Sequence, residues 1–144
     1  MLLTIDIGNT TIQAGVFDGS ILGKTWRLST EHDRLADEYG VLLCSLFRAQ
    51  NVEVARIKGV VISTVVPALL PTFQEMCRRF LDIEPLVVTG SLQTGLKITY
   101  SQPSEIGADR IVDAVAAIER HGPPPLIVVD FGTATVFDAI DKGN

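Results

Sequence analysis

A chain of 144 residues with 47% hydrophobic and 20% charged side chains has the composition of a folded globular protein and not of a disordered one. Its formal net charge is −5 and no block of five or six basic residues occurs, which argues against a nucleic-acid partner. The apolar runs break well short of the roughly 18 residues that a membrane span needs, so no membrane partner is expected either.

Residues 2–7, 11–17 and 21–29 read as short β-rich runs separated by Gly8-Asn9 and Asp18-Gly19. Asp-Gly is a strong hairpin signal, because a tight primed turn takes positive φ at its central residues. The opening is therefore expected to be an antiparallel three-stranded meander. From about Leu35 to Gln50, Leu35, Tyr39, Leu42, Leu43, Leu46 and Phe47 recur at helical spacing, with Asp33 or Thr30 as the expected cap. Residues 57–63 read as a buried strand, Pro67 opens a helix running to about Leu81, and Leu86–Val88 is another short strand. Residues 90–106 are rich in turn formers. A helix from about Gly107 to Arg120 is expected to turn Ile111, Val112, Val115, Ala116 and Ile118 inward. Gly122-Pro123-Pro124-Pro125 then breaks the chain, which divides it into a first domain, 1–121, and a further segment, 122–144. The order of elements is an α/β pattern with a mixed sheet flanked by helices.

Two cysteines and two histidines add little. Cys44 and Cys77 lack metal-type spacing and read as small apolar residues of a reducing compartment, while His32 and His121 read as solvated helix flanks. With Asp6 inside the first apolar run and no basic leader, a cytoplasmic protein is the expectation.

The informative feature is a repeat. Leu2-Leu3-Thr4-Ile5-Asp6-Ile7-Gly8-Asn9-Thr10-Thr11 returns, partly rewritten, as Leu126-Ile127-Val128-Val129-Asp130-Phe131-Gly132-Thr133-Ala134-Thr135. Each copy is an apolar run ending in Asp-apolar-Gly, followed by small polar residues and a second apolar run. Glycine after a strand-end Asp lets the backbone turn sharply and approach a ligand. Successive N–H groups, with the Asn9 amide and the Thr10 and Thr11 hydroxyls, suit an anion. A carboxylate cannot grip phosphate directly, so the task expected of Asp6 is to hold a hydrated Mg²⁺ that bridges phosphate oxygens. No P-loop motif is present. Between the copies lies Gly107-Ala108-Asp109-Arg110 at a helix start, where backbone N–H groups and an Arg fork can receive an anionic group. An Asp there can accept a hydroxyl proton late in phosphoryl transfer. The alternative is a dipole-favoured Asp beside a solvated Arg.

Taken together, Asp6-x-Gly8-Asn9-Thr10, Tyr100-x-x-Pro103-x-x-x-Gly107-x-Asp109-Arg110 and Asp130-x-Gly132-Thr133-Ala134-Thr135 resemble type III pantothenate kinase. That family belongs to the superfamily of acetate and sugar kinases, heat-shock ATPases and actin. The resemblance implies a duplicated ribonuclease H-like fold, its second copy truncated here, and ATP-dependent phosphorylation of pantothenate, the first step of coenzyme A biosynthesis. By the same resemblance Asp6, Ile7, Gly8, Asn9, Thr10, Thr11, Ile12 and Gln13 contact the ATP phosphates, with Asp6 ordering Mg²⁺ and Thr133 meeting ATP from the opposite wall. Asp130 binds the required monovalent cation, K⁺ or NH₄⁺. Asp109 is the general base, and Tyr100, Gly107, Ala108, Asp109 and Arg110 line the pantothenate site, with Arg110 a candidate partner for the substrate carboxylate. The complete protein is expected to be a homodimer.

Two rivals remain open at the level of sequence: a kinase of the same superfamily acting on a sugar or carboxylate, and a non-catalytic accessory or regulatory protein of the same fold. The family chain is much longer, and an intact second copy needs on the order of 100 further residues to bury its sheet. The isolated 144-residue chain is therefore expected to lack normal kinase activity. Robust phosphorylation of pantothenate by the purified chain would overturn that expectation.

Overall fold

A computed structural model describes residues 1–99, 106–132 and 134–142, which form two compact units, Met1–Val87 and Val88–Asn144. The first unit is built on a five-stranded mixed sheet. Its strands are β1 (Leu2–Ile7), β2 (Thr11–Asp18), β3 (Ile21–Ser29), β4 (Gly59–Thr64) and β5 (Leu86–Val87), in spatial order β3-β2-β1-β4-β5. The meander read from the sequence is present: β1 pairs antiparallel with β2, and β2 with β3. On its other side β1 pairs parallel with β4, which pairs parallel with β5.

The β2–β3 turn differs from the expected form. Asp18 pairs with Ile21, so the loop residues are Gly19 and Ser20, and positive φ falls on Gly19 alone (61°). Glycine at the first central position meets that requirement, and Asp18 ends the strand.

Period-two alternation sorts β1 into two faces. Leu3, Ile5 and Ile7 are buried at 0–1% exposure with Ile12, Ala14 and Val16 of β2 and Val60 and Ile62 of β4. Helices α1 (Ala36–Ala49) and α2 (Leu70–Met76) complete this core through Tyr39, Leu43, Phe47, Phe73 and Met76. Phe47 meets Trp26 edge-on at 4.9 Å between centroids, and Tyr39 meets Phe73 at 4.6 Å, geometries that the ring quadrupole favours.

The N-terminus of α1 corrects the capping expectation. Leu35 takes the capping position, and the Glu38 carboxylate accepts its N–H at 2.8 Å. Neither Asp33 nor Thr30 serves there. Beyond the helix end Asn51 takes the left-handed conformation (φ 58°), and the Val52 N–H returns to the Phe47 carbonyl at 2.8 Å. The span expected from Pro67 to Leu81 is helical throughout, but its pitch changes: a 3-10 turn at Pro67–Leu69, then α2, then a wide π turn at Cys77–Leu81. Cys77 is buried in the core, and burial pushes its thiol up to about 12, so it is a structural thiol.

The second unit contains α3 (Ala108–His121) and the antiparallel hairpin of β6 (Leu126–Phe131) and β7 (Thr135–Ile140). Ala108, Ile111 and Ala114 are the buried residues of α3; Val115 and Ala116, expected to face inward, are exposed. The stripe is shifted because the small residues Ala108 and Ala114 join Ile111 at three-residue spacing. On the hairpin, Ile127, Val129, Phe131 and Phe137 share one face and are exposed. No helix among the described residues is long and apolar enough to cross a membrane.

One packing contact is testable. A methyl group at Gly40 of α1 would sit well inside van der Waals contact of the Phe80 ring. Gly40→Ala gains roughly 1 kcal/mol of helix propensity, yet overpacking of about 1–3 kcal/mol acts against it. We expect net destabilisation in denaturant unfolding, relieved in a Gly40→Ala, Phe80→Leu double variant.

Candidate functional site

In the first unit the candidate loop leaves the C-terminal end of β1, where Asp6 lies on the face opposite the core residues Ile5 and Ile7. The last β1–β2 pair is Ile7 with Ile12, so Gly8, Asn9, Thr10 and Thr11 form the connection. The Gly8 N–H donates to the Thr11 carbonyl at 3.1 Å, and a Cβ on Gly8 would come within 3.0 Å of that oxygen. Glycine is thus favoured by close backbone approach.

Two groups that the sequence reading did not assign hold this loop. The Thr30 hydroxyl donates to the Gly8 carbonyl at 2.7 Å, and the Thr30 N–H donates to the Thr10 carbonyl at 3.1 Å. The signal was in the hairpin arithmetic, since pairing Thr11 with Ser29 brings residue 30 beside residue 10. Beside the loop, the parallel register sets Ser63 against Asp6 and Thr64 against Ile7. The Val65 N–H donates to the Ile7 carbonyl at 3.1 Å, and the Thr64 hydroxyl accepts the Val66 N–H at 2.9 Å. Ser63 is buried, and its hydroxyl has no hydrogen-bond partner among the described residues.

In the second unit Gly107 precedes α3, with Ala108, Asp109 and Arg110 in its first turn. The Asp109 carboxylate accepts the Arg110 N–H at 2.8 Å through Oδ1, which turns it back over the helix start. The Arg110 guanidinium pairs with Asp138 of β7: Nε donates to Oδ1 at 2.8 Å, and the adjacent Nη2 donates to the same oxygen. This partner was not foreseen. Both side chains line a cavity of about 150 Å³ together with Lys97, Ile106 and Ile111.

The second hairpin also departs from strict repetition. Its last pair is Phe131 with Thr135, so its connection is residues 132–134, one fewer than in the first hairpin. Gly132 donates to the Ala134 carbonyl at 3.1 Å. A Cβ on Gly132 would lie 3.4 Å from Asp130 Oδ2 and 3.7 Å from that carbonyl, so carboxylate and carbonyl oxygens converge on the space glycine leaves. Tyr100 and Thr133 lie outside the described residues. Of the remaining site residues, the first unit groups Asp6 through Gln13, and the second holds Gly107–Arg110 and Asp130.

The family described as type III pantothenate kinase matches residues 2–144. The chain belongs to the type III pantothenate kinase family. Among curated relatives of that name, one from Anaeromyxobacter sp. (strain K) is 51% identical over 145 residues, covering 100% of this chain and 57% of the relative. Another, from Thermomicrobium roseum, is 49% identical over 141 residues, covering 98% of this chain and 54% of the relative. The chain thus spans a little over half the length of these family members. A solved structure described as a putative 2-dehydro-3-deoxygalactonokinase protein from Sinorhizobium meliloti superposes with a TM-score of 0.60 over 98% of this chain and 50% of its own. At 12% identity that likeness speaks to the fold, and it agrees with the α/β class expected from the sequence.

The Thr30 contacts generate a measurable expectation. Thr30→Val removes one hydroxyl hydrogen bond, which costs about 0.5–1.5 kcal/mol, and should speed amide exchange at Gly8. Unchanged protection of that amide would show that the loop holds its shape without Thr30.

Proposed function

We propose that this chain carries the phosphate-gripping and proton-accepting part of a kinase that transfers the γ-phosphoryl of ATP to the primary alcohol of pantothenate. Family membership over residues 2–144 is the observation that carries this reading. The local chemistry supports it. Asp6 stands at a strand end beside a loop whose backbone is closed around Gly8. Among the described residues no group of three or more His, Cys, Asp or Glu side chains could hold a metal by itself. A Mg²⁺ at Asp6 would thus take its other ligands from phosphate oxygens and water, the usual arrangement for this ion. It would draw charge from the phosphates during transfer.

We assign Asp109 as the base. One of its oxygens is oriented by the Arg110 N–H, and Oδ2 would take the proton as the alcohol oxygen bonds to phosphorus and the bond to ADP breaks. Asp130 and the Ala134 carbonyl offer the hard oxygen ligands that a potassium or ammonium ion prefers, consistent with a cation role for Asp130. Thr133 and Tyr100 would complete the ATP and pantothenate contacts, and a cytoplasmic homodimer is the assembly we expect of the full-length enzyme.

The test is Asp109→Asn in the full-length enzyme, followed by ADP release coupled to pantothenate. Loss of a positioned base lowers kcat by about 10²–10⁴-fold, with ATP binding retained; unchanged turnover would remove the assignment. Omitting potassium and ammonium together should abolish activity in the parent enzyme, and indifference to both ions would count against Asp130.

A further inference from the structure

We infer that Asp138 is a positioning residue that fixes the Arg110 fork and thereby sets affinity on the pantothenate side of the reaction. The inference rests on the kinase reading above and goes beyond it, since it concerns a residue outside the three motifs. Its origin is a charged residue at a repeat position that is apolar in the first hairpin. In the first, Ile5 pairs with Ala14; in the second, Val129 pairs with Phe137, one position earlier in the repeat. A slip of one residue turns every side chain of a strand to the other face. The slip falls on β6, whose Val129 is exposed where Ile5 is buried. Strand β7 keeps the phase of β2, with Val136, Asp138 and Ile140 its more buried residues as Ile12, Ala14 and Val16 are in β2. Arg110 of α3 meets Asp138 on that face.

The pair is built as a clamp. Both Nε and Nη2 of Arg110 converge on one carboxylate oxygen, which fixes the plane of the guanidinium. Exposure is 28% for the Arg110 side chain and 16% for Asp138, so water competes weakly for either partner. Arg110 follows Asp109 directly on the first turn of α3, so a pin between Arg110 and β7 also limits how that turn can tilt. A fork already oriented binds a carboxylate without the entropy cost of ordering a long side chain.

The experiment compares Asp138→Ala and Asp138→Asn with the parent full-length enzyme, each also in an Arg110→Gln background. For Asp138→Ala we expect KM for pantothenate to rise about tenfold, the scale of one charge-assisted hydrogen bond. KM for ATP should stay unchanged. Asp138→Asn, which keeps an acceptor oxygen, should fall between parent and Asp138→Ala. In the Arg110→Gln background the substitution should add nothing further. A lowered KM for pantothenate would mean that Asp138 competes with substrate instead of orienting its partner, and it would overturn the proposal. So would an equal change in both KM values, or effects that simply add. A parent enzyme without pantothenate turnover removes this inference together with the kinase reading; a normal parent beside an unaltered Asp138→Ala removes this inference alone.

Discussion

The double pairing of β1 is the constraint on which the first unit depends. One edge is held antiparallel by β2 and the other parallel by β4, so the strand has no freedom of register on either side. Because Leu3, Ile5 and Ile7 are buried, alternation leaves Thr4 and Asp6 on the opposite face. A shift of one residue would put Asp6 into the core and expose three large apolar side chains. The carboxylate therefore occupies its strand-end position because burial of its neighbours permits no other. Thr30 carries this order onward, since β3 brings it back against the loop that β1 and β2 define.

The second hairpin uses the same local sequence under a looser constraint. It pairs with no third strand among the described residues, and its shorter connection gives it a different register. The repeat is thus one of composition and turn chemistry more than of side-chain placement. Strand β7 nonetheless keeps the alternation of β2, so Asp138 stands at the position where Ala14 packs and meets Arg110 there.

Much of this was legible in the sequence. Strand and helix existence followed from period and breaker residues, and the family motifs pointed to Asp6, Asp109 and Asp130. What escaped was set by tertiary contacts or fine register. Thr30 looked like a helix cap because Ser and Thr favour that position, but Glu38 supplies a carboxylate from within the helix and Thr30 bonds the opposite loop. The inward stripe of α3 was misplaced at Val115 and Ala116 because apolar character alone does not distinguish buried alanine from exposed valine. Asp138 gave no signal, since an Asp in an alternating strand ordinarily faces water.

The exposed apolar face of β6 and β7 bears on where the molecule comes apart. Ile127 at 74%, Phe131 at 82% and Phe137 at 69% exposure contribute little burial energy to their own hairpin. Strand pairs secured mainly by backbone hydrogen bonds open with a smaller free energy than pairs sealed by side-chain packing. In the 144-residue chain by itself, the hairpin bearing Asp130 should accordingly separate from native structure at lower free energy than the one bearing Asp6. Two near-copies of one sequence would then mark the soft and the firm ends of a single chain.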